Sequence, residues 1–205
     1  MPIIKHFSSD LGRKVAIWEK TESEEELFKL ADLKPIDQIK YQNIKLTKRK
    51  SEWLTAKALM KAVGFDHAYF TLPSGKPYID DRIHFSITHS LPYVGIIEHS
   101  NSVGIDIQKP EDKMFRIKHK YCHPEELNRV EKHEHPLDIL SIIWSAKEAV
   151  FKVYGENILF AEQLLTEPFD ITHPVIKCHF ITPHATYLHR LGLVKVNDHY
   201  CVHSM

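Results

Sequence analysis

The sequence predicts an α+β fold made of two halves of similar size, residues 1–102 and 103–205. Two observations lead there. Segments with helically spaced apolar residues are followed by short segments with strand patterning, and this order occurs twice. The chain has 205 residues, 43% apolar and 26% charged, enough for one large core or two smaller ones.

The elements follow in order. Val15 and Ile17 share one face of a strand at 14–19. Thr21-Glu22-Ser23-Glu24 has the form of a capping box and opens a helix toward Asp32. Pro35 separates that helix from a second, which carries Ile36, Ile39 and Ile44. A third is expected at 48–63, where Trp53, Ala56, Met60 and Val63 fall at helical spacing and Gly64 suits the stop. Short strands are expected at 67–71, 78–79, 84–88, 93–98 and 103–108, divided by turn signals such as Pro73-Ser74-Gly75 and Asn101-Ser102. Helices return at 113–120, 124–132 and 136–154. Pro124 and Pro136 sit at first helical positions, and Gly155 follows the last helix. Strands at 175–181, 185–189 and 198–203 close the chain.

Composition narrows the function. Lys plus Arg equals Asp plus Glu, 27 each, so no overall charge favours nucleic acid or an anionic membrane as partner. No stretch approaches the ~18 apolar residues of a spanning helix. The first residues, Met1-Pro2-Ile3-Ile4-Lys5-His6, lack the pattern of a secretory leader. Cys122, Cys178 and Cys201 form no paired pattern, and the expectation is a cytoplasmic protein.

Two segments stand out chemically. In Val103-Gly104-Ile105-Asp106-Ile107-Gln108, strand alternation places Asp106 and Gln108 on one face and Ile105 and Ile107 on the other. Taken alone, this also describes an edge strand with polar residues facing water. In Trp144-Ser145-Ala146-Lys147-Glu148-Ala149-Val150-Phe151-Lys152, Glu148 and Lys152 lie one helical turn apart. Such pairs are common on surfaces, but Ile142, Ile143, Trp144, Val150 and Phe151 surround this one with apolar residues.

Together these segments resemble the two signature motifs of the phosphopantetheinyl transferases, in particular the larger pseudo-dimeric type that activates peptide and polyketide synthetases. Gly104-Ile105-Asp106 matches the first motif, and Trp144-Ser145-x-Lys147-Glu148-Ala149-x-x-Lys152 the second. Upstream, Gly75-Lys76-Pro77 and Phe85-Ser86-Ile87-Thr88-His89-Ser90 are similar to two further stretches of that family. The resemblance covers about residues 45 to 160, in order.

The resemblance implies a pseudo-dimer within one monomer and a site drawing on both halves. The implied reaction moves 4′-phosphopantetheine from coenzyme A to a serine of an apo acyl, peptidyl or polyketide carrier protein, with Mg²⁺. Magnesium takes hard oxygen ligands. Asp106 and Glu148 are the implied ligands, with Gln108 in a position where many relatives carry Glu. Glu148 is the implied base. Lys152 would stabilise phosphoryl charge, and Lys76, Thr88, His89 and Lys147 would contact coenzyme A. The cluster Lys45, Lys48, Arg49 and Lys50 could meet the 3′-phosphate. Lys113, Arg116, Lys118 and Lys120, interleaved with Met114, Phe115 and Ile117, could meet an acidic carrier helix.

Other readings carry less. Cys122, His123, His133 and His135 invite zinc, but no Cys-x-x-Cys pair accompanies them. Ser90, His89 and Asp106 lack the Gly-x-Ser-x-Gly elbow of a hydrolase. A non-catalytic homologue that binds coenzyme A or a carrier protein has only Gln108 in its favour.

Overall fold

The computed structural model describes residues 3–8, 12–65, 70–71, 77–78, 82–155 and 158–205. The expected strand residues 67–69 and Ile79, and the Pro73-Ser74-Gly75 turn, lie outside the described residues. The chain divides into two compact units, Met1–Asn101 and Ser102–Met205.

The first unit contains β1 (Ile3–Ser8), β2 (Lys14–Glu19), α1 (Glu24–Ala31), α2 (Pro35–Asn43), α3 (Thr47–Ala62), β3 (Phe70–Thr71), β4 (Pro77–Tyr78), β5 (His84–Ser90) and β6 (Tyr93–His99). Four strands form an antiparallel sheet in the order β1-β2-β6-β5, and β3 pairs with β4 separately. Trp18, Leu27, Leu54, Leu59 and Ile96 belong to the core that joins the helices to this sheet. The capping box of α1 forms two residues later than the expected Thr21–Glu24 pairing. Ser23 Oγ accepts from Glu26 N at 3.3 Å, and Glu26 Oε2 accepts from Ser23 N at 2.9 Å. The Thr21 N–H is instead taken by the Glu22 carboxylate, which also accepts from Trp18 Nε1.

The second unit contains β7 (Ile105–Gln108), α4 (Lys113–Ile117), α5 (Pro124–Glu131), α6 (Pro136–Tyr154), α7 (Phe160–Gln163), β8 (Leu164–Thr166), β9 (Val175–Ile181), β10 (Thr186–Val196) and β11 (His199–Ser204). A short 3₁₀ turn, Lys118–Lys120, precedes α5. The antiparallel sheet runs β7-β11-β10-β9-β8. The long helix α6 packs on it through Ile142, Ala146, Ala149 and Val150, in one cluster with Leu191 and Val202. Mixed α and β elements with two main sheets make an α+β architecture, as the patterning predicts.

Strand β10 extends well past the expected 185–189, running on through Val196. Gly192 reads as an interruption in sequence, yet it permits a close approach. A Cβ there would fall 2.4 Å from Nε2 of His203 on the paired strand β11. No helix among the described residues is long and apolar enough to cross a membrane.

Candidate active site

The candidate site of the second unit is built where β7 meets α6. Gly104 makes the contact possible. A Cβ on Gly104 would sit 1.9 Å from the backbone oxygen of Ala149, so only glycine lets the strand come this close to the helix. The far side of the strand is pinned by Ser204, whose N–H donates to Gly104 O and whose Oγ accepts from Gly104 N, both at 2.9 Å.

At this closeness Asp106 is not a half-exposed strand residue: it is 8% exposed. Both of its oxygens are engaged from α6. Lys152 Nζ donates to Oδ1 at 2.9 Å, and Ser145 Oγ donates to Oδ2 at 3.0 Å. Lys152 also donates to Ile105 O at 2.8 Å, so its ammonium is fixed over the strand. Ser145, Glu148 and Lys152 stand at helical positions i, i+3 and i+7, hence on one face. Ser145 lies inside the sequence motif, but nothing in its pattern marked it as the second partner of Asp106.

The Glu148 carboxyl is pushed up to about 7. Burial is the main cause, and the negative charge of Asp106 adds to it, while Lys152 acts in the opposite direction. Two carboxyls that repel through a poorly solvated space offer hard oxygen donors to a cation. Among the described residues no group of three or more His, Cys, Asp and Glu side chains gathers into a metal cage. Gln108 follows on the same strand, and its side-chain amide donates to Lys109 O at 3.0 Å.

Lys147 requires a correction. It is fully buried, at 0% exposure, and its ammonium is spent inside the unit on Tyr121 O at 2.6 Å, Phe160 O at 3.0 Å and the Glu126 carboxylate at 2.6 Å. A lysine in that position has no donor left for a coenzyme A phosphate. Its partner Glu126 carries no motif, and no local sequence signal points to it.

The first unit holds a pocket of about 780 Å³ between α3, β5 and the segment after α2. Arg49, Glu52, Trp53 and Ala56 line it from one face of α3, joined by Lys45 and by His89 of β5. The first turn of α3 is unusual in having basic residues and no acidic one, with no side-chain cap on its N–H groups. Cations oppose the helix dipole there, whereas an anion is favoured. The basic cluster separates in space. Lys45 and Arg49 face the pocket, Lys48 approaches Glu52 at 3.9 Å, and Lys50 lies over the Tyr41 ring at 4.8 Å. His89 is half-exposed, with Nδ1 3.5 Å from Glu52 Oε1.

Thr88 does not join this pocket. Strand alternation turns it to the face opposite His89, where it is 3% exposed. Lys76 lies outside the described residues. Of the residues that invite zinc, His123 is used as the cap of α5, its Nδ1 accepting from Glu125 N at 3.3 Å. Burial, with the Glu126 charge adding to it, pushes the Cys122 thiol up to about 12.

Residues 102–201 match the family model of the 4′-phosphopantetheinyl transferase superfamily. The chain is 31% identical over 115 residues to the 4′-phosphopantetheinyl transferase of Bacillus subtilis, covering 52% of this chain and 51% of that one. It is 26% identical over 127 residues to the 4′-phosphopantetheinyl transferase gsp of Aneurinibacillus migulanus, covering 58% and 54%. The chain thus spans about half the length of the curated relatives it matches. The matched region contains Gly104, Asp106, Ser145, Glu148 and Lys152, so the candidate site lies within the stretch that is similar to the 4′-phosphopantetheinyl transferase superfamily.

Proposed function

We propose that this protein transfers 4′-phosphopantetheine from coenzyme A to a serine hydroxyl of an apo carrier protein. The observation that carries this reading is the Asp106–Lys152–Glu148 constellation, set by the Gly104 contact within the stretch that is similar to that superfamily. In this reading the two units are the halves of a pseudo-dimer.

The serine oxygen attacks the phosphorus that bears the pantetheine arm. The bond from that phosphorus to the bridging oxygen breaks, and adenosine 3′,5′-bisphosphate leaves. Glu148 accepts the hydroxyl proton, and a carboxyl held near neutrality suits that role. Lys152 keeps a positive charge beside the phosphoryl oxygens, oriented by its bonds to Asp106 and to Ile105 O. Ser145 prevents Asp106 from turning away. Asp106 and Glu148, with Gln108 a candidate third donor, would hold a magnesium ion, which would supply charge that offsets the diphosphate.

Coenzyme A has a candidate phosphate pocket in the first unit. Its 3′-phosphate suits Lys45, Arg49 and the open first turn of α3, and His89 is a second phosphate contact. The carrier protein suits the surface after β7. There Met114 is buried, whereas Phe115, Arg116 and Lys120 are exposed. Lys113 and Lys118 instead pair with Glu111 at 2.7 Å and Glu131 at 3.7 Å.

The deciding experiment is the mass of an apo carrier protein after incubation with coenzyme A, magnesium and this protein. A gain of one phosphopantetheine on the serine supports the assignment. Unchanged mass across acyl, peptidyl and polyketide carriers, with coenzyme A still bound, would make this a binding protein.

A further inference from the structure

Glu126 and Lys147 form an ion pair at 2.6 Å with neither side chain exposed. Buried pairs are seldom cheaper than apolar residues of the same volume, so one that persists is worth explaining by what it orients. Here every polar atom of the pair is used. Lys147 Nζ also donates to Tyr121 O and Phe160 O. Glu126 Oε2 accepts from His123 N at 2.7 Å, while Oε1 accepts from Thr166 N and Thr166 Oγ1, both at 2.8 Å. Arg129 Nη2 donates to Thr166 O at 2.6 Å, closing the network. The pair therefore ties α6 to the start of α5, to β8, and to Phe160, where α7 begins after α6.

The consequence is rotational. Successive residues on an α-helix point about 100° apart around its axis. With Lys147 locked toward α5 and β8, its neighbour Glu148 has one direction left. The face that carries Ser145, Glu148 and Lys152 is turned to β7, where Ser145 and Lys152 reach Asp106.

We propose that the Glu126–Lys147 pair is the positioning device of the reacting face, holding α6 in the rotation that presents Glu148 and Lys152 to Asp106. Glu126 is accordingly a positioning residue for the transfer reaction. This inference rests on the functional reading above.

The test compares Glu126→Gln, Lys147→Met and the double variant Glu126→Gln/Lys147→Met. Each single variant leaves a buried charge without its partner, and its thermal midpoint should drop well below that of wild type. The double variant leaves neither charge and should regain most of the midpoint. A purely structural pair would regain transfer with it. A positioning pair would not: the folded double variant should need roughly tenfold more magnesium for half-maximal rate, with KM for coenzyme A unchanged. Amide exchange over residues 145–152 should be faster in the double variant, while exchange in β10 and β11 stays as in wild type. Wild-type magnesium demand and wild-type exchange in the refolded double variant would overturn the proposal.

If the double variant does not fold, Thr166→Val removes one donor to Glu126 and keeps the pair. It should shift both readouts in the same direction by a few-fold, and no shift in either would overturn the proposal. The exchange arm does not depend on activity. A wild-type protein that transfers nothing, yet shows the exchange difference, would sink the functional reading and leave the positioning inference standing.

Discussion

The Lys152 ammonium meets the Asp106 carboxylate at 2.9 Å, joining positions 46 residues apart through the contact of α6 with β7. Removing either partner leaves the other without its counter-charge. Lys152→Ala should lower kcat by about 10²–10³, the scale of losing one preorganised donor to a developing negative charge. Asp106→Ala and Glu148→Gln should each cost on the order of 10²–10⁴ in transfer rate. Gln108→Glu adds a carboxylate and should lower the magnesium concentration for half-maximal rate. Steady-state rates across a magnesium titration read all four variants, and wild-type rates for Asp106→Ala and Glu148→Gln would refute the mechanism.

Glu148 makes stability depend on pH. Its carboxyl sits at about 7 in the folded protein, raised first by burial and then by Asp106, against roughly 4.3 in an unfolded chain. Between those values the folded state holds a proton that the unfolded state has released. The stabilisation is therefore fully present below the lower value and is lost as pH rises through the upper one. Glu148→Gln stays neutral throughout. In the presence of a chelator, wild type should lose about 3 kcal/mol relative to the variant between about pH 4 and pH 8. Thermal melts at the two pH values check this, and added magnesium should narrow the gap by favouring the ionised carboxylate.

Gly104→Ala should be destabilising although alanine adds one carbon. That carbon would lie 1.9 Å from the Ala149 backbone oxygen, and backbone cannot move aside as a flexible side chain can. Overpacking of this kind costs about 1–3 kcal/mol. Any relaxation separates β7 from α6, so transfer should fall further than the melting point implies. A variant with a wild-type melting temperature would show that the strand has room.

The basic residues of the first unit should separate by position. Lys45→Ala and Arg49→Ala should raise KM for coenzyme A, because both side chains line the pocket. Lys50→Ala, whose ammonium lies over Tyr41, should leave that KM unchanged. Dephospho-coenzyme A, which lacks the 3′-phosphate, should erase the difference between wild type and Arg49→Ala.

Charge reversal after β7 should act on the carrier alone. Arg116→Glu with Lys120→Glu should slow association with an acidic carrier protein, most strongly at low salt. Affinity for coenzyme A should stay the same. Carrier kinetics unaffected at low ionic strength would remove this surface from consideration.

Much of the architecture was legible in the sequence because it is locally encoded. Pro136 and Gly155 bound α6, its apolar spacing fixes its helical state, and the Gly104-Ile105-Asp106 alternation gives β7. Local patterning missed β1 and β8. The second spans only Leu164–Thr166, too short to show a period.

The sequence by itself determined which residue types stand on β7 and α6, and in what order. Only the tertiary structure decided which way they face. Glu148 and Lys147 are neighbours, both ionisable and both in the motif, yet one is turned to Asp106 and the other to Glu126. Helical periodicity sets angles between side chains but leaves the rotation of the whole helix open. That rotation is fixed by partners remote in the chain, Glu126 and Thr166 on one side and Asp106 on the other, and burial makes each of those polar contacts obligatory.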